Sequence, residues 1–207
     1  MPRRAFAEAQ PSLDPAALVF VDEAGVNRKM TRRYARTHRS RRAVGHAPAG
    51  WGKNTTLTGA MSASGMLVLS RRVGGGTTTV SFLAFVRDEL CPVLTSGQTV
   101  VLDSLSAHKA SEAREAIEAA GTGVLYLPRY GPEHNPIALC WAAVQRVLRG
   151  GAVARDGWAV ERWVGHHGFR LTTKRDRHQE WPGYTFWVMP WHPLGMVDRA
   201  EGRMSGL

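Results

Sequence analysis

A mixed α/β sheet flanked by helices is the architecture that three features of the 207-residue sequence predict. First, Leu18-Val19-Phe20-Val21 and Val100-Val101-Leu102 are unbroken apolar runs, as strands buried on both faces must be. Second, the stretches 56–62 and 66–72 are separated by a short polar turn, the mark of an antiparallel hairpin. Third, segments with apolar residues at helical spacing alternate with strands through the second half, as in units that wrap a sheet.

The elements follow in order. A lead-in of residues 1–17 precedes the strand Leu18 to Val21, which ends at Asp22-Glu23. Thr56 to Ser62 and Met66 to Arg72 form the hairpin, with Ser64-Gly65 as its turn. Gly74-Gly75-Gly76 breaks the pattern, and Thr79 then caps a helix over Ser81 to Leu94 that carries Phe82, Phe85, Val86 and Leu90 on one face. Thr99 to Leu102 is a strand ending at Asp103. Ser111 is the expected N-cap of a helix over Glu112 to Ala120, and Gly121 is its stop. Val124 to Leu127 is a short strand closed by the loop Pro128 to Pro132. Asn135 caps a last helix with Pro136 at its first position, running to Leu148 and burying Ile137, Trp141, Val144 and Leu148. Residues 18–150 thus make one domain. The tail, 151–207, holds five of the seven Trp residues but no sustained period after Trp163, so an irregular tail is expected. A Trp-rich binding lobe and a frame-shifted extension both fit it.

Twenty-seven Lys and Arg stand against seventeen Asp and Glu, a net charge of +10, which points to a polyanionic partner. The charge is uneven. Arg28, Lys29, Arg32, Arg33, Arg36, Arg39, Arg41 and Arg42 follow one another with no acid between them. A solvated loop and an arm that tracks phosphates both fit this run, and the lack of interleaved acids favours the arm. The longest apolar run, Ala16 to Val21, is far too short for a membrane span, and no signal-peptide pattern opens the chain. Two cysteines, Cys91 and Cys140, without metal-site spacing, fit reduced thiols in a cytoplasmic protein. Gly52-Lys53-Asn54-Thr55 lacks the earlier Gly and the hydroxyl residue of a phosphate-binding loop, and His166, His167 and His178 lack the spacing of a zinc site.

Asp22 and Asp103 occupy equivalent places, each at the end of an apolar strand. In open sheets such ends are where ligands sit. If the two strands are neighbours, the carboxylates converge, and hard oxygen ligands suit Mg²⁺ or Mn²⁺; otherwise they are ordinary solvated strand-end acids. Paired cations of this kind serve in-line phosphoryl displacement.

The stretches Val19-Phe20-Val21-Asp22-Glu23, Val100 to Lys109 (VVLDSLSAHK) and Leu127 to Ile137 (LPRYGPEHNPI) resemble the catalytic domain of mariner-like insertion-sequence transposases. The resemblance covers about Leu18 to Arg149 and implies a ribonuclease H-like fold. It also implies a triad of two Asp and a third acid holding two Mg²⁺ ions, and cleavage and strand transfer at transposon ends. Asp22 and Asp103 take the first two catalytic and metal-binding places. The third acid usually follows Asn-Pro-Ile, with thirty-four residues between it and the second; that place is Ala138. A methyl group ligates no cation. Glu133 precedes the helix, and Glu23 should point to the opposite face from Asp22.

Ser104 stands where the family usually has Asn, and Gly131 where it often has Ser, while His108 and Lys109 match and are candidates for DNA contact; a place near the metal site and a solvated position at the head of a helix fit His108 equally. The expectation is therefore a transposase catalytic domain with impaired Mg²⁺- or Mn²⁺-dependent chemistry, or a non-catalytic DNA-binding remnant that regulates transposition. The expected partners are transposon-end and target DNA, a second copy of the chain, and a separate helix-turn-helix chain, because no such module precedes Leu18. The expected setting is the bacterial cytoplasm, at the nucleoid when DNA is bound.

Overall fold

The computed structural model describes residues 3–27, 29–32, 34–47, 49–50, 52–128, 134–150, 169–174 and 185–190. Strand β1 (Leu18–Val26) lies at the centre of a five-stranded sheet with β2 (Thr55–Ser62), β3 (Gly65–Val73), β4 (Thr99–Leu102) and β5 (Gly123–Tyr126), in the order β3-β2-β1-β4-β5. β1 runs antiparallel to β2 and parallel to β4, so the sheet is mixed, as expected. A two-residue turn, Ala63-Ser64, joins β2 to β3, and Gly65, at φ +130°, opens β3 instead of closing the turn. The Ser62 and Ser64 hydroxyls hydrogen-bond at 2.7 Å across it.

Both faces of β1 are covered, which is why its sequence is apolar without alternation. On one face Leu18, Phe20, Ala24 and Val26 join Leu57, Met61 and Val101 under helix α4 (Ile137–Gly150), which contributes Ile137, Cys140, Trp141, Val144 and Leu148. On the other, Val19 and Val21 join Ala60, Val100 and Leu102 under α2 (Thr79–Phe85) and α3 (Ser111–Ala119), with Phe82, Phe85, Val86, Leu90, Ala113 and Ile117. The lead-in also belongs to the core: α1 (Arg3–Ala9) places Phe6, only 4% exposed, in the cluster under α4.

Several local expectations shift when backbone geometry is seen. The cap of α2 is Thr78, one residue earlier than Thr79, in a reciprocal box: Ser81 N donates to Thr78 Oγ1 at 3.2 Å, and Thr78 N donates to Ser81 Oγ at 2.8 Å. The helix does not stay α to Leu94. It widens to a π turn at Val86–Leu90 and tightens to a 3₁₀ turn at Cys91–Val93, where Pro92 has no N–H to offer Asp88. Ser111 is the first residue of α3 rather than its cap, and its hydroxyl bonds Glu112. Asn135 is buried and its Oδ1 has no hydrogen-bond partner among the described residues, so the side chain does not cap α4; its carbonyl accepts from Ala138 N instead. The tail is not wholly irregular. β6 (Phe169–Lys174) and β7 (Thr185–Pro190) pair antiparallel. Neither six-residue segment alternates cleanly, so periodicity does not reveal them.

One close approach fixes α4 on the sheet. A Cβ added at Gly59 would lie 3.0 Å from the Trp141 ring, so glycine lets the indole rest on β2. Gly59→Ala is expected to lower the unfolding free energy by about 1–3 kcal/mol in urea titrations. Adding Trp141→Phe should recover part of that loss, and strict additivity of the two changes would refute the approach of ring to strand.

Candidate active site

The parallel ladder between β1 and β4 pairs Leu18 with Thr99, Val19 with Val100 and Phe20 with Val101. The same offset brings Asp22 level with Asp103. By strand alternation Asp22 stands on the face of Phe20, the side covered by α4, while Asp103 lies just past the end of β4. Asp22 does not end its strand, contrary to expectation. β1 continues to Val26 against β2, where Asp22 pairs with Gly59, and only the ladder to β4 has stopped. Asp103 does follow the last residue of β4. Ala138 is the second residue of α4 and partly exposed, and Trp141, one turn further on, lies over Gly59 beside Asp22. The two aspartates and the start of α4 are thus held round one corner of the sheet.

The carboxylates are electrostatically unequal. Burial pushes Asp22 up to about 7, helped by the nearby Glu23 and Asp103 charges, against a backbone hydrogen bond and His108 that act to lower it. Burial also acts to raise Asp103, but hydrogen bonds from His108 and the Leu105 backbone, with the charges of His108 and Lys109, hold it below the usual carboxylate range. Leu105 N donates to Asp103 Oδ1 at 2.9 Å.

Of the readings that the sequence leaves open for His108, DNA contact and a solvated position do not fit its full burial, and a place beside the candidate metal-site carboxylates does. Its Nδ1 lies 2.5 Å from Asp103 Oδ1 and its Nε2 2.8 Å from Glu23 Oε1. Burial acts to depress this imidazole, but the two carboxylates outweigh it and lift its pKa to about 9. Phe82 covers the ring at 4.2 Å between centroids, and Tyr126 OH donates to the His108 carbonyl at 3.0 Å. Glu23 does point away from Asp22, as alternation requires, yet it reaches Asp103 through the imidazole. Nothing in the sequence marks that link, because Glu23 and His108 are eighty-five positions apart. Ser104, in the place usually held by Asn, donates to the Leu127 carbonyl at 2.7 Å and ties the end of β4 to the end of β5.

The basic residues lie apart from this corner in the chain, in the long connection from Val26 to Thr55. Arg32, Arg36, Arg39, Arg41 and Arg42 are exposed, Lys29 is half-buried, and Lys109 is exposed beside the buried His108. Arg28, Arg33, Gly131 and Glu133 lie outside the described residues.

Two level carboxylates are hard oxygen donors of the kind that would hold one Mg²⁺ or Mn²⁺ ion. They do not make a full two-ion cage: Ala138 offers no donor, and among the described residues no group of three or more His, Cys, Asp or Glu is placed to hold a metal ion.

An antiparallel hairpin at one edge, paired with a central strand that is continued by parallel strands β4 and β5, is the sheet of a ribonuclease H-like domain. The chain belongs to the DDE superfamily endonucleases, whose family model matches residues 17–157. The Mos1 strand transfer complex is similar with a TM-score of 0.64 at 20% identity, over 79% of this chain and 52% of that one. The Mos1 transposase paired-end complex with left transposon end gives 0.61 at 18% over 79% and 52%, and the Mos1 transposase catalytic domain with raltegravir and Mg gives 0.54 at 17% over 79% and 78%. The fold is therefore that of the mariner transposase catalytic domain. The chain spans about half the length of the Mos1 chains in the DNA complexes. No curated protein matches it. Among the described residues, no helix is long and apolar enough to cross a membrane.

The raised Asp22 makes a signed prediction about stability. Below the ordinary Asp value both folded and unfolded chains are protonated there, and Asn at 22 should change little. As pH rises from about 4 to 7 the unfolded chain ionises first, and the native protein loses stability that Asp22→Asn retains. Urea titrations in EDTA should therefore show a stabilisation by Asp22→Asn that is near zero at pH 4 and grows to a plateau above pH 7. A pH-independent difference would contradict the burial of this carboxyl.

Proposed function

We propose that this chain is a DNA transposase catalytic domain whose phosphodiester chemistry is impaired at one position. Ala138 carries the proposal: α4 begins where a third carboxylate would be needed and presents a methyl group there. Asp22 and Asp103 would hold a Mg²⁺ or Mn²⁺ ion, which when bound would polarise the scissile phosphate and acidify an attacking water. The protein's own part is geometric. The register of β1 and β4 sets the spacing of the two carboxylates, and α4 walls the corner so that a phosphodiester enters from one side. A second ion would lack the carboxylate that holds it beside Asp22 or Asp103, so hydrolysis and the joining of a free 3′-hydroxyl to target DNA would both be slowed. Loss of an outer partner of a metal ligand typically costs about 10–100-fold, and loss of a ligand should cost at least that.

The exposed basic connection supports a second reading of the same chain. Because its arginines are displayed independently of Ala138, a copy that has lost its chemistry would still hold DNA, and as a homodimer or beside an active transposase it would regulate transposition. A separate helix-turn-helix chain would supply recognition of the transposon end, at the nucleoid of a bacterial cytoplasm.

Two measurements test these readings. Nicking of supercoiled DNA in Mn²⁺ is expected to be weak for the native chain, to rise at least tenfold in Ala138→Glu, and to vanish when Asp103→Ala is added. No gain in Ala138→Glu, in a variant that still folds, would remove Ala138 as the cause. For DNA binding, fluorescence anisotropy across a salt series should show log K falling with log salt. Replacing Arg36, Arg39, Arg41 and Arg42 together by Ala should lower the slope by roughly 0.9 for each phosphate that is no longer neutralised. An unchanged slope would place the DNA elsewhere.

A further inference from the structure

The bridge from Glu23 through His108 to Asp103 takes no direct part in phosphodiester chemistry. His108 is fully buried, so it cannot reach a DNA phosphate, and its ring is held at both nitrogens and against Phe82. Glu23 Oε1 takes one nitrogen, Asp103 Oδ1 takes the other, and Phe82 lies against the ring. The hydrogen bonds that reach the Asp103 carboxylate from Leu105 N and from the imidazole end on the same oxygen, Oδ1. Two donors on one oxygen fix the rotation of the carboxylate and turn Oδ2 toward the opposite side. Glu23, for its part, is the chain neighbour of Asp22 and has only about a tenth of its side chain exposed, with Oε2 buried and without a hydrogen-bond partner among the described residues. A carboxylate in so dry a place stays only where a donor holds it. The last backbone pair joining β1 to β4 is Phe20 with Val101. Beyond that pair, the Glu23–His108–Asp103 bridge ties together, through side chains, the two strands that carry the aspartates.

We propose that His108 is a positioning residue for a divalent-cation site: braced by Glu23, it clasps the ends of β1 and β4 from the face opposite α4 and presents Asp103 Oδ2, level with Asp22, to the ion. The clasp acts on both aspartates, on Asp103 through its oxygen and on Asp22 through the backbone of Glu23. This rests on the reading of Asp22 and Asp103 as cation ligands. It predicts that the imidazole affects cation affinity without touching the cation, in the way that carboxylates behind metal-bound histidines do.

The test measures Mn²⁺ affinity by the electron paramagnetic resonance signal of the free ion, in the native chain and in Ala138→Glu, each with His108→Phe, Glu23→Ala or Glu23→Gln. Melting curves in EDTA establish which variants fold. His108→Phe and Glu23→Ala are expected to weaken Mn²⁺ binding by about 10–100-fold, whereas Glu23→Gln, which keeps an amide oxygen for Nε2–H, should restore most of it. Equal Mn²⁺ affinity in native and folded His108→Phe would overturn the clasp and leave the carboxylate site standing. Absence of Mn²⁺ binding in both the native chain and Ala138→Glu would instead overturn the site itself, and the clasp's purpose with it. If the His108 variants do not fold, the native protein decides the matter by ¹⁵N-histidine NMR. Two protected ring N–H protons, one far downfield, that persist when Mg²⁺ is added support the clasp; a ring that exchanges freely or releases Asp103 on Mg²⁺ addition overturns it.

Discussion

Two carboxylates standing level at the open end of a parallel ladder are partly withdrawn from water, and the groups around them decide which of the two can stay charged. The ladder between β1 and β4 leaves Asp22 and Asp103 side by side once its backbone pairing has ended. Burial makes an ionised carboxylate costly at this corner unless donors hold it. The structure resolves this asymmetrically. Asp103 receives a buried imidazole and a backbone N–H and stays ionised, while Asp22, with less help, is pushed toward its neutral form. A cation bound between the two carboxylates would favour the charged form of Asp22.

The scaffold serves this corner from both faces. On one side Gly59 lets Trp141 lie directly on β2, which brings the first turn of α4 beside Asp22. On the other, Phe82 from α2 and Tyr126 from β5 immobilise His108. An error of one residue in the β1–β4 register would turn one aspartate into the wrong core, so the apolar runs that set the register also set the chemistry. Ala138 changes none of this framework. A methyl group on a partly exposed helical turn leaves the packing intact while removing a donor, so loss of chemistry and retention of fold are compatible in one chain.

Much of the architecture is legible in the sequence because its physical causes are local. Continuous apolar runs mark strands covered on both faces, and helical spacing marks Phe82, Phe85, Val86 and Leu90, then Ile137, Trp141, Val144 and Leu148, all of them buried. What the sequence misplaces depends on geometry at element ends. Thr78 rather than Thr79 caps α2, Asn135 does not cap α4 with its side chain, and β6 and β7 have too little alternation to be seen as strands. The two aspartates are visible as strand-end acids, but that Asp22 lies inside a longer strand comes only from the pairing of its far end with β2.

By itself, then, the sequence determined the mixed sheet, the two candidate aspartates and the run of arginines, because each follows from residue type and spacing along the chain, while Ala138 stands out only against the family that the motifs resemble. Only the tertiary structure decided that His108 is buried rather than solvated, and that Glu23, turned away from Asp22, is nevertheless joined to Asp103. The reason is distance in the chain. A histidine bridging residues on two strands has no local signature, and its role exists only once the sheet has brought those strands together.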